Sequence, residues 1–110
     1  MHKEVVIFAG ESGEDYFFEI HPKGTIFKNI SAVYIFVKQI LNSSGKYSYK
    51  LLYIGESSEL GERIKKHNKE NCVEKNGYNH ICILPIEEEK HRLEIETDLI
   101  HRWNTPCNKQ

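Results

Sequence analysis

The chain has 110 residues, of which 39% are hydrophobic and 28% are charged, and its net charge is −1 with neutral histidines. This length and composition are typical of one globular domain with a modest core. We find no apolar run near the roughly 18 residues that a membrane helix needs and no signal peptide, so we expect a cytoplasmic protein with no membrane partner.

The first 30 residues are predicted to form a β-hairpin. Residues 5–8 and 16–20 are rich in β-branched and aromatic side chains, and a polar, glycine-containing turn separates them. Pro22 and Gly24 then break the chain. We therefore divide the sequence into an N-terminal hairpin extension, residues 1–30, and a main domain, residues 31–110. The extension either covers a sheet edge or forms an interface.

A second hairpin opens the main domain. Residues 32–37 and 51–54 have strand composition, and a turn is predicted over residues 42–46. An antiparallel pairing of these strands would bring Tyr34 and Tyr53 close together.

A helix follows the second hairpin. Ser57 or Ser58 can cap it, and its apolar positions are Leu60 and Ile64. This part of the chain is basic, since residues 38–75 carry eight Lys and Arg against five acidic residues. A phosphate-binding surface is therefore expected in the middle third, and it would be weak and salt-sensitive.

The last elements are a strand and a helix. Residues 80–84 read as a strand that Pro85 stops, and glutamates at 87–89 favour the start of a helix that runs to about residue 103. The whole order of elements predicts an α+β domain with an antiparallel sheet.

The cysteines and histidines do not form a recognisable framework. Cys72, Cys82 and Cys107 are an odd number at wide spacings, so reduced thiols are expected. His91 and His101 lack the i, i+4 spacing of a helical zinc site.

Glu96 is the residue that a purely structural account explains least well. Leu93, Ile100 and Trp103 share its predicted helix face, which places the carboxylate in an apolar stripe. A lone buried carboxylate is costly, and a divalent cation would offset that cost. The alternative is an intrahelical ion pair with Arg92, four residues earlier.

Four other side chains have both a chemical and a structural interpretation. The Arg63 guanidinium can clamp a phosphate or lie over the edge of the core. His67 can move a proton near neutral pH or sit half-exposed on its helix. Tyr34 and Tyr53 either pack at the core edge or, beside a metal and an arginine, have a lowered pKa and accept a proton from water.

Two small residues complete the set. Gly55 follows its strand directly, which permits close backbone approach or a positive φ. Asn108, after Pro106, either caps a turn or helps to organise a site.

Together these residues resemble the GIY-YIG nuclease superfamily. Ala32-Val33-Tyr34 stands where the family has its first tripeptide, and Tyr53-Ile54-Gly55 is identical to the second. Arg63 stands where the family has its helix arginine. The segment from Glu96 to Ile100 and the later Pro106-Cys107-Asn108 are similar to the closing E-x-x-L-I…P-x-N pattern. The resemblance covers residues 31–108, and it departs from the family at Ala32 and at Glu56, an acid that either repels phosphate or helps to bind metal.

The resemblance implies a three-stranded antiparallel sheet flanked by helices and hydrolysis of DNA phosphodiesters with one Mg²⁺ or Mn²⁺. It implies that Glu96 holds the metal, Arg63 contacts the scissile phosphate, and Tyr34 or Tyr53 activates water. His67 would assist and Asn108 would organise the site. The residues expected to contact substrate are Gly55, Lys65 and Lys66.

Two other functions stay open. One is a non-catalytic nucleic-acid or protein interaction module, which the overall acidity and Glu56 favour. The other is a toxin or phage-defence nuclease with a cognate inhibitor. DNA is the expected partner, with a protein partner or a homodimer as further candidates.

Overall fold

A computed structural model describes residues 4–66 and 70–108. Within these ranges it contains strands β1 (Val5–Ala9), β2 (Asp15–Pro22), β3 (Ala32–Leu41), β4 (Tyr47–Ser57) and β5 (His80–Pro85), and helices α1 (Leu60–Lys65), α2 (Glu70–Lys75) and α3 (Glu89–Arg102). The predicted α+β class is confirmed. No helix in the described ranges has the length and apolar character needed to span a membrane.

All five strands form one antiparallel sheet in the order β1-β2-β5-β3-β4. The predicted hairpin of β3 and β4 is present, with Tyr34 opposite Gly55 and Phe36 opposite Tyr53. Both strands are longer than their apolar cores predicted, because the ladder continues through polar residues as far as Leu41 and Tyr47. A register shift follows Phe36.

The N-terminal hairpin is continuous with the rest of the sheet. Strand β2 pairs with β5, so that Glu19 lies opposite Ile83, and the hairpin thus covers an edge of β5. Phe8, Phe18 and Ile20 are buried in the same core cluster as residues of β3 and β4. The resemblance implied a sheet of three strands, whereas β3, β4 and β5 belong to a sheet of five.

The sheet has a core on each face. Alternation along β3 sends Val33, Ile35 and Val37 to one face, where they pack with Ile95 and Leu99 of α3. The other face carries Ala32, Tyr34 and Phe36 of β3, together with Leu60 of α1 and Val73 of α2.

The predicted first helix is replaced by two short helices, and its cap differs from the prediction. Glu59 occupies the cap position of α1 without a capping side chain, and the Ser57 hydroxyl accepts a hydrogen bond from the Glu59 N–H. The Asn29 side chain accepts from the Glu62 N–H at 2.7 Å. A free N–H group at the start of α1 thus finds its acceptor in a residue that is distant in sequence, because the loop before β3 packs against α1.

The prediction of three reduced cysteines is wrong for two of them. Cys72 and Cys107 form a disulfide, whereas Cys82 is free and buried. The bond joins α2 to the segment after α3 across 35 residues of sequence. The sequence spacing did not reveal the pair because tertiary packing brings the two segments together.

Candidate active site

Two tyrosines and a glycine form the floor of the candidate site. The rings of Tyr34 and Tyr53 lie 6.2 Å apart between centroids, which confirms their predicted proximity. A Cβ atom on Gly55 would lie 2.7 Å from Tyr34 Oη and 2.9 Å from Tyr53 Cε2. Gly55 is not among the described glycines with positive φ, so close approach is the reason that a glycine is needed here.

Arg63 of α1 and Glu96 of α3 both act electrostatically on these phenols. Burial raises the pKa of Tyr34, the Glu96 charge raises it further, and Arg63 lowers it by charge and hydrogen bonding. The pKa of Tyr53 is also raised, by burial and then by Glu96, with Arg63 again opposing. The structure thus brings together four of the residues predicted from the sequence.

The pKa values of the two phenols depend on a balance of burial and charge. Lowered values were predicted for tyrosines beside a metal and an arginine; with Arg63 as the only positive charge that the described residues place nearby, burial dominates and raises the pKa of both. Near neutral pH the two phenols therefore keep their protons.

Glu96 is half-buried, and its surroundings differ from the prediction. Burial raises its carboxyl pKa, the Glu56 charge raises it further, and Arg63 lowers it. The buried residues of α3 are Arg92, Ile95 and Leu99, whereas Leu93 is 44% exposed. Glu96 therefore lies at the border of the buried stripe and not in its middle.

Arg92 pairs with Glu56 and not with Glu96. Its Nε donates to Glu56 Oε1 at 2.8 Å, and its Nη1 donates to the carbonyl oxygens of Ile86 and Glu87 at 3.1 and 2.7 Å. The Arg92 side chain is only 3% exposed. The proposed Arg92–Glu96 pair is thus wrong, and the Glu56 charge beside the site is balanced by Arg92.

Asn108 bonds the backbone of β4 beside the site. Its Oδ1 accepts from the Ile54 N–H at 2.8 Å, and its Nδ2 donates to the Ile54 carbonyl at 2.9 Å. The Thr105 hydroxyl also donates to Asn108 Oδ1. Because β4 is an edge strand, this amide satisfies backbone groups that no neighbouring strand pairs, and it fixes the residue between Tyr53 and Gly55.

The two predicted substrate lysines lie on different sides of α1. A groove of about 660 Å³ adjoins the site and is lined by Arg63 and Lys66 among others. Lys65 lines a separate depression with Phe27. The predicted catalytic His67 lies outside the described residues.

The donor set near Glu96 suits a hard divalent cation. Mg²⁺ and Mn²⁺ prefer oxygen ligands, and Mg²⁺ commonly takes one or two carboxylates, retained waters and substrate phosphates. Glu96 offers a partly desolvated carboxylate, with the Glu56 carboxylate close enough to raise its pKa. Over residues 4–66 and 70–108, no three His, Cys, Asp or Glu side chains gather into a group that could hold a metal by themselves.

Two contributors to the site were missed or misjudged from the sequence. Arg92 has the same helical spacing as Ile95 and Leu99, and an arginine in a buried stripe is a signal that a carboxylate partner lies nearby. Asn29, which fixes the start of α1, had no comparable signal.

Comparison with known proteins does not identify a function for this site. The chain matches no protein-family model, no curated protein and no solved structure.

Proposed function

We propose that this protein is a divalent-metal-dependent endonuclease that hydrolyses phosphodiester bonds in DNA. The supporting observation is the convergence of a buried phenol, a half-buried phenol, a guanidinium and a partly desolvated carboxylate beside Gly55. These groups can bind a phosphate, hold a cation and orient water in one place.

The roles of the side chains follow from their charges. Arg63 binds the phosphate and stabilises the charge that develops on it. Glu96 would hold Mg²⁺ or Mn²⁺, which when bound polarises the phosphate and activates water. Tyr53 is half-buried and orients the attacking water, whereas the fully buried Tyr34 packs against the Tyr53 ring and positions it. A phenol can accept a proton from water only when positive charge beside it lowers its pKa, and Arg63 supplies part of that charge.

Substitution of Arg63 tests this proposal. The wild-type chain should cut supercoiled plasmid, single-stranded DNA or branched DNA in Mg²⁺ or Mn²⁺ at low salt. Arg63→Ala should lower the rate by about 10²- to 10³-fold, the scale measured when a donor to developing charge is removed. Arg102→Ala, an exposed arginine that stacks on Trp103, is the matched control and should cut normally.

Circular dichroism and thermal unfolding should show that Arg63→Ala keeps the wild-type fold, because Arg63 is exposed. Equal cleavage by Arg63→Ala and wild type would contradict the proposed role of Arg63.

A second candidate function is a binding module without catalysis. The groove beside the site is lined by four glutamates, Glu56, Glu59, Glu62 and Glu89, against three basic residues, Arg63, Lys66 and Arg92, which disfavours a phosphate polymer. Calorimetric titration with Mn²⁺ separates the two functions. Binding heat that disappears in Glu96→Gln supports the nuclease, whereas no heat in either protein supports the module.

A further inference from the structure

The outer half of the β3–β4 hairpin projects from the sheet as a two-stranded ribbon. Pairing of β3 with β5 ends where Val37 lies opposite His80, but pairing with β4 continues from Lys38 opposite Lys50 to Leu41 opposite Tyr47. At a rise of about 3.3 Å per residue, the paired strands extend roughly 13 Å beyond Val37. We call residues 38–50 the arm.

The arm carries charged residues of one sign only. It contains three lysines, Lys38, Lys46 and Lys50, and no acidic residue, although the chain as a whole has 16 acidic and 15 basic residues. None of the ion pairs among the described residues involves these lysines. Their charges are therefore not neutralised within the described part of the chain.

Two of these lysines are directly opposite each other. Lys38 pairs in register with Lys50, and like charges at opposite positions destabilise a sheet. The side chain of Lys38 packs along Gly77, where an added Cβ would lie 3.6 Å from Lys38 Cδ. A bound anion would relieve the repulsion between the two ammonium groups.

The arm is anchored at its base and ordered at its tip. Asn79 accepts from the Gln39 N–H at 2.7 Å and donates to the Gln39 carbonyl at 3.0 Å. At the tip, Asn42 Oδ1 accepts from the N–H groups of Ser44 and Lys46, both at 3.0 Å. Leu41 and Tyr47, the last cross-strand pair, are 61% and 55% exposed.

We propose that the arm is a contact surface for duplex DNA, with Lys38, Lys46 and Lys50 on the phosphates. A two-stranded ribbon fits the major groove of B-DNA, which is about 12 Å wide, whereas the major groove of duplex RNA does not admit it. The exposed Leu41 and Tyr47 at the tip offer apolar contacts to sugars and thymine methyl groups.

The arm lies at a distance from the candidate site that suits one continuous duplex. Lys38 is four residues after Tyr34 on β3, and its side chain packs along Gly77, shortly after α2, on the face of the sheet that carries Tyr34 and Val73. Their separation along the strand is roughly 13 Å, or about four base-pair steps at roughly 3.4 Å each. This placement rests on the proposed function, in which the same duplex reaches Arg63, but DNA binding by the arm is measurable without cleavage.

Substitution of the opposed lysines tests the arm. Binding of a short fluorescein-labelled DNA duplex is followed by anisotropy in EDTA, between about 50 and 200 mM salt. Lys38→Gln with Lys50→Gln should weaken binding about tenfold or more at the lowest salt. It should also reduce the slope of log K against log salt by about 2, because two phosphate contacts are lost.

The matched control is Lys28→Gln with Lys90→Gln, which removes the same charge from exposed positions outside the arm. Loss of the opposed charges should leave the protein at least as stable as wild type, so weaker binding cannot come from unfolding. An unchanged salt slope in the arm variant, an equal effect in the control, or tighter binding of duplex RNA or single-stranded DNA would each overturn the proposal.

Cleavage of bis(p-nitrophenyl) phosphate separates this proposal from the proposed function. The substrate is too small to reach the arm, so the arm variant should hydrolyse it at the wild-type rate. If wild type hydrolyses neither this substrate nor DNA, but the arm variant still loses duplex binding, then the nuclease proposal fails and the arm stands. If wild type cuts DNA but the arm variant has an unchanged salt slope, then the arm proposal fails and the nuclease proposal stands.

Discussion

Gly55 shows how one residue without a side chain shapes the candidate site. Tyr34 faces it across the hairpin, and a methyl group at this position would fall within 3.0 Å of both tyrosine rings. The rings are packed on the strand, so they cannot move aside as the end of a flexible chain would. Backbone and phenols thus share one close-packed floor beneath Arg63 and Glu96.

Gly55→Ala should therefore destabilise the protein by about 1–3 kcal/mol, the usual cost of overpacking. It should also displace the tyrosines and slow DNA cleavage. Urea unfolding followed by circular dichroism measures the stability, with Ser48→Ala, an exposed position on the same strand, as the control. A fully stable Gly55→Ala protein would mean that the rings have room to move.

The electrostatics of the site were only partly predictable from single residues. The residue types and the family resemblance singled out Tyr34, Tyr53, Arg63 and Glu96 as a set. They could not show the direction of the phenol pKa shifts, since that depends on how much burial outweighs the nearby guanidinium.

At the scale of elements, the segment after α3 takes the place of a neighbouring strand along the edge of β4. The Cys107 N–H donates to the Leu52 carbonyl at 2.9 Å, and the Asn108 side chain bonds both backbone groups of Ile54. The Cys72–Cys107 disulfide ties this segment to α2. An edge that would otherwise expose unpaired groups is thereby closed beside the candidate site.

Asn108→Ala should leave both Ile54 backbone groups without this partner and destabilise the protein by about 1–3 kcal/mol. Hydrogen exchange of the Ile54 amide should accelerate, because its acceptor is lost. Asn104→Ala, an exposed asparagine in the same segment, should change neither quantity. Slow exchange at Ile54 in the Asn108 variant would show that the amide is protected by another group.

The existence of the strands was predictable because their apolar and β-branched runs are distinct. The ends of the strands were harder to predict. Residues 47–50 are polar and resemble a loop in sequence, but they pair with β3. The cap of α1 and the disulfide depend on long-range contacts of Asn29 and Cys107, which no local pattern encodes.

At the scale of the whole molecule, the N-terminal hairpin is bound to α3 through Asp98. Its carboxylate accepts from the N–H and hydroxyl of Ser12 and from the hydroxyl of Tyr16, at 2.9, 2.6 and 2.7 Å. The Trp103 indole also donates to the Ala9 carbonyl. The hairpin therefore contacts both β5 and the helix that carries Glu96.

The hydrogen bonds from Ser12, and then from Tyr16, hold the pKa of Asp98 below its usual value. A carboxyl group with a lowered folded-state pKa stabilises the fold above its unfolded pKa of about 3.9, and this contribution is lost as the pH falls through the folded-state value. Asp98→Asn should therefore lower Tm at neutral pH, and the difference from wild type should shrink below about pH 4.

Thermal unfolding across this pH range measures that difference, with Asp15→Asn, an exposed aspartate of β2, as the control. A difference in Tm that stays constant from neutral to acid pH would show that the Asp98 charge does not hold the hairpin.

The most direct test of the nuclease proposal is the rate of DNA cleavage by wild type, Glu96→Gln and Glu94→Gln as Mn²⁺ is increased. Glu94 is an exposed glutamate on the same helix, so both variants lose one charge from α3. We expect metal-dependent cleavage by wild type and Glu94→Gln, and none by a folded Glu96→Gln. Cleavage by Glu96→Gln at the wild-type rate and metal dependence would contradict the nuclease proposal.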